Sequence, residues 1–154
     1  MEFKNNGLGQ QQEKTVILRK KLALLKEFYY LTNSLQRTLS SENIEEFNDI
    51  LEERKKLIES INSLDKELLL NEKQIPTPYN ANEIPNNEIK ELEINIKVYL
   101  MQIRGIDQKV QHDLKQNYNN IIKALDTMRV NRLAVASYYK KNNQPPAFFV
   151  DKKK

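Results

Sequence analysis

The stretch from Asn87 to Tyr139 constrains this chain most, because it is one amphipathic pattern about fifty residues long. It contains no proline, and most of its apolar residues recur at spacings of three and four, which places them on one side of an α-helix. At about 1.5 Å per residue, such a helix is roughly 75–80 Å long. One amphipathic helix cannot bury its own apolar side, so the pattern predicts partner helices. The apolar positions are Ile89, Leu92, Ile96, Tyr99, Ile103, Ile106, Val110, Leu114, Ile121, Leu125 and Met128.

Two shorter amphipathic patterns precede the long one and predict its nearest partners. We expect a first helix over about residues 13–39 and a second over about 44–70, with residues 1–12 frayed. Asn43 followed by Glu46 predicts a capping-box start for the second helix. So short a connection favours an antiparallel pair. The predicted stripes are Leu18, Leu22, Leu25, Phe28, Leu31, Leu35 and Leu39 in the first helix, and Ile44, Phe47, Leu51, Ile58, Ile61 and Leu68 in the second, with Ile50, Leu57 and Leu64 alongside.

Proline-containing segments bound the long helix on both sides. Residues 71–86 hold three of the five prolines and predict a linker. The third helix then begins near Asn86 or Asn87, either of which can act as its N-cap, and runs to about residue 139. Residues 140–154 form a tail with a proline pair, an apolar cluster and three lysines. This tail either packs on the body or orders when it binds a partner.

The composition agrees with these helices and excludes several functions. Charged residues make up 30% of the chain and only three residues are glycine, a mix that favours an all-α fold. We therefore expect one domain over residues 1–154: an antiparallel helical hairpin plus one long third helix, as a three-helix bundle or coiled coil with flexible termini. No apolar run approaches the roughly 20 residues that span a bilayer, and residues 1–7 lack the apolar core of a secretory signal. These absences predict a soluble, cytoplasmic protein without membrane insertion.

No residue pattern indicates catalysis or a bound cofactor. The chain has no cysteine, so it has no thiolate metal site, and it has one histidine, His112. His112 and the adjacent Asp113 project about 100° apart on a helix. The sequence contains no glycine-rich phosphate loop, no HExxH and no GxSxG. We therefore expect no enzymatic activity, no catalytic residue, no cofactor and no metal.

The positive charge is concentrated near the carboxyl end. Residues 129–154 hold seven Lys or Arg and one acid, so the preceding 128 residues hold 18 of the 25 bases and 20 of the 21 acids. A nucleic-acid-binding protein more often carries a basic stripe along a helix. The distribution therefore predicts no nucleic-acid partner, and leaves the tail as a solvated end or a docking segment for an acidic partner.

The third helix is nearly twice as long as the other two, so its second half, from about Val110, extends past a hairpin of roughly 40 Å. Contiguous exposed apolar surface marks an interaction site. Three outcomes stay open: the helix bends back, the protein forms a homodimeric scaffold, or a client protein lies along the helix. We assign client binding to Leu114, Tyr118, Ile121, Ile122, Leu125 and Met128.

Two segments of the chain are similar to a known family. Residues 39–59 read LSSENIEEFNDILEERKKLIE, in which a small polar turn and an acidic-apolar stretch precede the run Leu51–Ile58. Near the carboxyl end, a helix rich in Arg and Asn leads to the pair Tyr138 and Tyr139 and then to a loose tail. Together these features resemble the FlgN/FliT-type flagellar export chaperones. The length of the chain favours the FlgN branch, whose clients are hook-filament junction proteins.

The resemblance implies a cytoplasmic chaperone for flagellar type III export that has no ATPase activity of its own. Its clients would be hook-associated proteins, or the filament cap protein in the FliT branch, held by the carboxyl-terminal helix until export. In that family a tyrosine near the end of this helix docks on the cytoplasmic domain of the export gate. By position this role maps to Tyr138 or Tyr139, and the export ATPase complex is a further expected partner.

Overall fold

The computed structural model describes residues 3–74 and 86–142, which form three α-helices. These are α1 over Phe3–Ser40, α2 over Ile44–Lys73 and α3 over Asn87–Asn142. The described ranges contain no β-strand, so the all-α prediction is confirmed. The chain divides into two units, an amino-terminal unit over Met1–His112 and a carboxy-terminal unit over Asp113–Lys154. The middle of the predicted linker, residues 75–85, and the predicted tail beyond residue 142 lie outside the described residues.

The predicted start of the first helix is wrong, because α1 begins at Phe3 and not near residue 13. Gly7 and Gly9 lower helix propensity by about 1 kcal/mol each, but neither glycine removes a backbone donor as proline does. The end of α2 also lies beside this segment, since the Gln10 side-chain amide is 3.5 Å from the Gln74 carbonyl oxygen. The helix therefore continues through residues whose composition alone suggested fraying.

The corner between α1 and α2 is closed by backbone hydrogen bonds. The N–H of Asn43 donates to the carbonyl of Thr38 at 3.2 Å, and the N–H of Glu42 donates to Leu39 at 3.4 Å. This pair of bonds is a Schellman motif, which requires a left-handed residue just beyond the helix. Glu42 occupies that position, with φ of 58°.

Asparagine caps begin both of the following helices, as predicted. Asn43 Oδ1 accepts from the N–H of Glu46 at 3.1 Å, and Asn43 Nδ2 donates to the Glu46 carboxylate at 3.1 Å. In the usual capping box, the Glu side chain accepts a hydrogen bond from the backbone N–H of the capping residue. Here the N–H of Asn43 instead donates to the carbonyl of Thr38. The N-cap of α3 is Asn86, whose Oδ1 accepts from the N–H of Glu88 at 3.1 Å.

Contacts inside the amino-terminal unit fix the directions of its helices. Residue numbers on α2 decrease as those of their partners on α1 increase. Gln74 lies beside Gln10, and Asp65 Oδ1 lies 2.6 Å from Lys21 Nζ. The hairpin is therefore antiparallel, as predicted. The first part of α3 runs parallel to α1 and antiparallel to α2, which makes an up-down-up three-helix bundle. The contacts that set this direction are Tyr29 with Tyr99, Arg54 with Asp107, and Lys14 with both Glu72 and Glu93.

The apolar core of this unit combines residues from all three helices. Helix α1 contributes most of the buried side chains, since it lies against both α2 and α3, and its predicted stripe is confirmed. The α3 positions from Ile89 to Val110 face the same core, again as predicted. The buried apolar residues of the two core clusters are Leu18, Leu22, Leu25, Phe28, Leu35, Ile50, Leu92, Ile96, Ile103 and Val110.

The predicted stripe of α2 is partly wrong. Ile44, Leu51 and Ile58 are exposed, at 40–73% of their full surface. Phe47, Ile61 and Leu68 face inward as predicted, and so do the residues that the prediction placed alongside. Two inward positions are polar, which is why a search for apolar residues alone selected exposed neighbours for the rest of the stripe. Alternating spacings of three and four give the inward positions Phe47, Ile50, Arg54, Leu57, Ile61, Leu64, Leu68 and Asn71.

Arg54 joins the three helices at one point of the core. Its guanidinium lies 4.5 Å from the centre of the Phe28 ring on α1, and its terminal nitrogen donates to both carboxylate oxygens of Asp107 on α3 at 2.9 Å. The Arg54 side chain is only 11% exposed. A carboxylate and an aromatic face compensate for part of its lost hydration, while its buried Nε has no hydrogen-bond partner among the described residues.

Candidate functional site: the apolar ridge of the carboxy-terminal unit

The carboxy-terminal unit leaves its apolar side chains open to solvent. Every residue from Leu114 to Lys141 is exposed. The six residues assigned to client binding keep 38–65% of their surface accessible. No other described residue of the carboxy-terminal unit covers them. Solvation of this much apolar surface is unfavourable by roughly 25 cal/mol per Å².

Most of these residues form one continuous row, which we name the ridge. Its spacings alternate strictly between four and three, as in one side of a coiled coil. Arg132 is the single charged position in the row. Of the six predicted client-binding residues, five lie on the ridge and Ile122 lies directly beside it. The ridge comprises Leu114, Tyr118, Ile121, Leu125, Met128, Arg132, Val135 and Tyr139.

The sequence prediction missed a change of phase between the two parts of α3. The buried row from Ile89 to Val110 also follows a seven-residue repeat, whose next positions would be Asp113 and Asn117. Both are polar, and the apolar row resumes at Leu114, one residue later. The change is visible in the sequence because Ile106, Val110, Leu114 and Tyr118 are each four residues apart, where a seven-residue repeat alternates three and four. The change falls at the boundary between the two units.

The two predicted docking tyrosines occupy different positions relative to the ridge. Neighbouring residues of a helix project about 100° apart, so Tyr139 lies on the ridge and Tyr138 lies to one side of it. Their ring centres are 6.1 Å apart in an edge-to-face arrangement. Both rings are exposed. A client helix on the ridge would cover Tyr139 and leave more of Tyr138 accessible.

The two sides of the ridge differ in charge. Residues 113–142 contain six Lys or Arg and two Asp. The residues that follow alternate ridge positions form the cationic flank: Lys115, Ile122, Arg129 and Ala136. The residues on the opposite side form the amide flank: Asn117, Ala124, Asn131 and Tyr138.

Within residues 3–74 and 86–142, no cluster of three or more His, Asp or Glu could hold a metal ion. His112 is exposed, and Asp113 is partly buried. A cavity of about 230 Å³ lies between α1 and α2, where Asn71 donates to the Glu13 carboxylate at 3.0 Å. That bond satisfies the buried amide of Asn71, and a second carboxylate, Glu67, also lines the cavity. No described helix has a segment long and apolar enough to cross a membrane.

A scan against protein-family models and searches of curated proteins and of solved structures found no match to this chain. The resemblance to flagellar export chaperones therefore stays a prediction. Residues 39–59, which carry part of it, form the α1–α2 corner and the first half of α2.

Proposed function

We propose that this protein is a cytoplasmic chaperone that holds an amphipathic helix of a client protein along the ridge. The observation that supports this proposal is the exposure of the whole ridge, from Leu114 to Tyr139, in a chain whose other long apolar rows face a core. By the resemblance, the client is a hook-filament junction protein, and the destination is the flagellar type III export gate.

The length and spacing of the ridge suit a helical client. Residues 114–139 span about 39 Å of helix, which matches a partner helix of nearly four heptads. Burial of a Leu or Ile side chain contributes roughly 1.5–3 kcal/mol before the costs of association are subtracted. Several such side chains can therefore hold a client without nucleotide hydrolysis, and release requires only a competing partner.

Client capture is tested by placing a charge on the ridge. We expect Leu125→Asp or Ile121→Asp to weaken co-purification of a hook-junction protein at least about tenfold, because an aspartate in a helix–helix seam loses its hydration. Helicity, measured by circular dichroism, should not change. Leu69→Asp is the matched control, since Leu69 is an equally exposed leucine of α2. Unchanged co-purification of the ridge variants would contradict the proposal.

Delivery to the export gate is tested separately. We expect the double variant Tyr138→Ala with Tyr139→Ala to reduce binding to the cytoplasmic domain of the export gate strongly. Client capture should weaken only slightly, because Tyr139 is the last position of the ridge and Leu114 to Val135 are unchanged. The single variants then identify the docking ring. If the double variant loses both activities, or neither, the tyrosines have no separate docking role.

The alternative function is a homodimeric scaffold without a client. Light scattering on the purified protein distinguishes the two. A tight dimer that is dissociated by Leu125→Asp would support the scaffold function and contradict the chaperone function.

A further inference from the structure

We infer that the ridge pairs with an acidic amphipathic helix of another protein in preference to a second copy of this chain. This inference rests on the proposed function and adds the chemistry of the partner. It follows from the position of three cations, Lys115, Arg129 and Arg132, relative to the exposed row.

A parallel pair of copies is disfavoured by Arg132. In a parallel coiled coil, equivalent positions of the two helices meet across the seam. Two Arg132 guanidinium groups would then face each other where the neighbouring residues are Met128 and Val135. Like charges in a seam that excludes water repel strongly, because the effective dielectric constant there is low. Neither flank contains an acid that could pair with Arg132.

An antiparallel pair of copies is disfavoured by Arg132 as well. If the two copies overlap along the whole ridge, Arg132 of each helix lies opposite Ile121 of the other. Each guanidinium then loses hydration in the seam with no acid opposite to compensate. A slip by one heptad, in which the two Ile122 side chains meet, places Lys115 of each helix opposite Arg129 of the other and juxtaposes like charges.

A partner with acids at matching positions removes each of these penalties. One Glu opposite Arg132 pairs the only charge in the seam, and two Glu residues spaced fourteen apart pair with Lys115 and Arg129. Charge-assisted bonds from Arg to carboxylate are the strong ones among side-chain hydrogen bonds. The amide flank can donate to or accept from most side chains, so it does not oppose this arrangement. The excess of four positive charges over residues 113–142 also speeds encounter with an acidic helix.

The test uses two synthetic helical peptides of 28 residues and the full chain. Both peptides carry the same Leu and Ile seam except at the position opposite Arg132. That position and the flanking positions are Glu in one peptide and Lys in the other. Fluorescence anisotropy at 50 and 300 mM salt measures their affinities. We expect the Glu peptide to bind at least about tenfold more tightly than the Lys peptide at low salt, and the difference to shrink at high salt.

Two protein variants show whether the ridge is responsible. Arg132→Glu should remove most of the preference, while Arg104→Glu, which makes the same charge change at an exposed position in the amino-terminal unit, should preserve it. Leu125→Asp should weaken binding of the Glu peptide. If Leu125→Asp leaves that binding intact, the attraction is non-specific and the inference is overturned.

The remaining outcomes separate this inference from the proposed function. Equal binding of the two peptides overturns the charge preference and leaves helix binding on the ridge in place. Binding of neither peptide overturns both. A micromolar or tighter dimer of the unmodified protein in sedimentation experiments also overturns the inference, because a second copy would then occupy the ridge.

Discussion

Residues 89–110 and residues 114–139 lie on one continuous helix and follow the same seven-residue spacing, but only the first set is covered. Ile103 retains 5% of its surface, whereas Ile121 retains 59%. The first set faces α1 and α2 in the amino-terminal unit, and no described residue of the carboxy-terminal unit covers the second. The spacing of apolar residues therefore dictates which side of a helix is apolar, while burial depends on what lies opposite. The predictions below test this difference.

The largest expected difference is in local stability. Amides over residues 92–110 exchange only when the core unfolds, so we expect their hydrogen exchange to be slowed about 10,000-fold or more. Amides over residues 118–138 belong to a helical segment whose described residues are all exposed, and we expect protection below about 100-fold. Hydrogen-exchange mass spectrometry at micromolar concentration measures both. Strong protection of residues 118–138 that is lost on dilution would show that a second copy covers the ridge.

A matched pair of isoleucines gives the next largest effect. Ile103→Ala creates a cavity in the core and should lower the free energy of unfolding by about 2–4 kcal/mol. Ile121→Ala removes only exposed surface and should change it by less than about 0.5 kcal/mol. Urea denaturation monitored by circular dichroism compares the two. Equal losses would mean that the two parts of α3 are equally packed in solution.

A matched pair of aspartates gives a smaller effect. Asp107→Ala leaves the Arg54 guanidinium with only the Phe28 ring as a partner, and should lower the free energy of unfolding by about 1–3 kcal/mol. The value is below that of a fully buried pair because the Asp107 side chain is 31% exposed. Asp126→Ala, at an exposed position of the carboxy-terminal unit, should change the free energy of unfolding by less than about 0.5 kcal/mol. If Arg54→Met together with Asp107→Leu were as unstable as Asp107→Ala, the loss would not come from an unpaired guanidinium.

Much of the fold could be predicted from local rules. The three helices, the Asn43 cap and the apolar stripe of α1 follow from spacing and capping chemistry, which depend on residues close together in the chain. Two features depended on distant residues and were missed. Helix α1 extends back to Phe3 beside the end of α2, and the inward row of α2 includes Arg54, whose partners lie on α1 and α3.

The candidate site was predicted in position but not in detail. Leu114 to Met128 were expected to be exposed because the third helix is longer than the hairpin, and the structure confirms their exposure. The one-residue phase change before Leu114 and the unequal flanks were present in the sequence but were not recognised. The identity of a client cannot follow from an amphipathic row alone, since the same apolar spacing serves a scaffold or a chaperone.

The contact of Phe28, Arg54 and Asp107 has a consequence for the alignment of the bundle. A heptad repeat is nearly degenerate: sliding α2 by seven residues along its neighbours would again bring Leu and Ile side chains against the core. Such a slip would move Arg54 by about 10 Å along the helix axis, away from its only carboxylate and into apolar surroundings. The ion pair between Arg54 and Asp107 therefore fixes the register of α2, because the apolar side chains alone would tolerate several alignments.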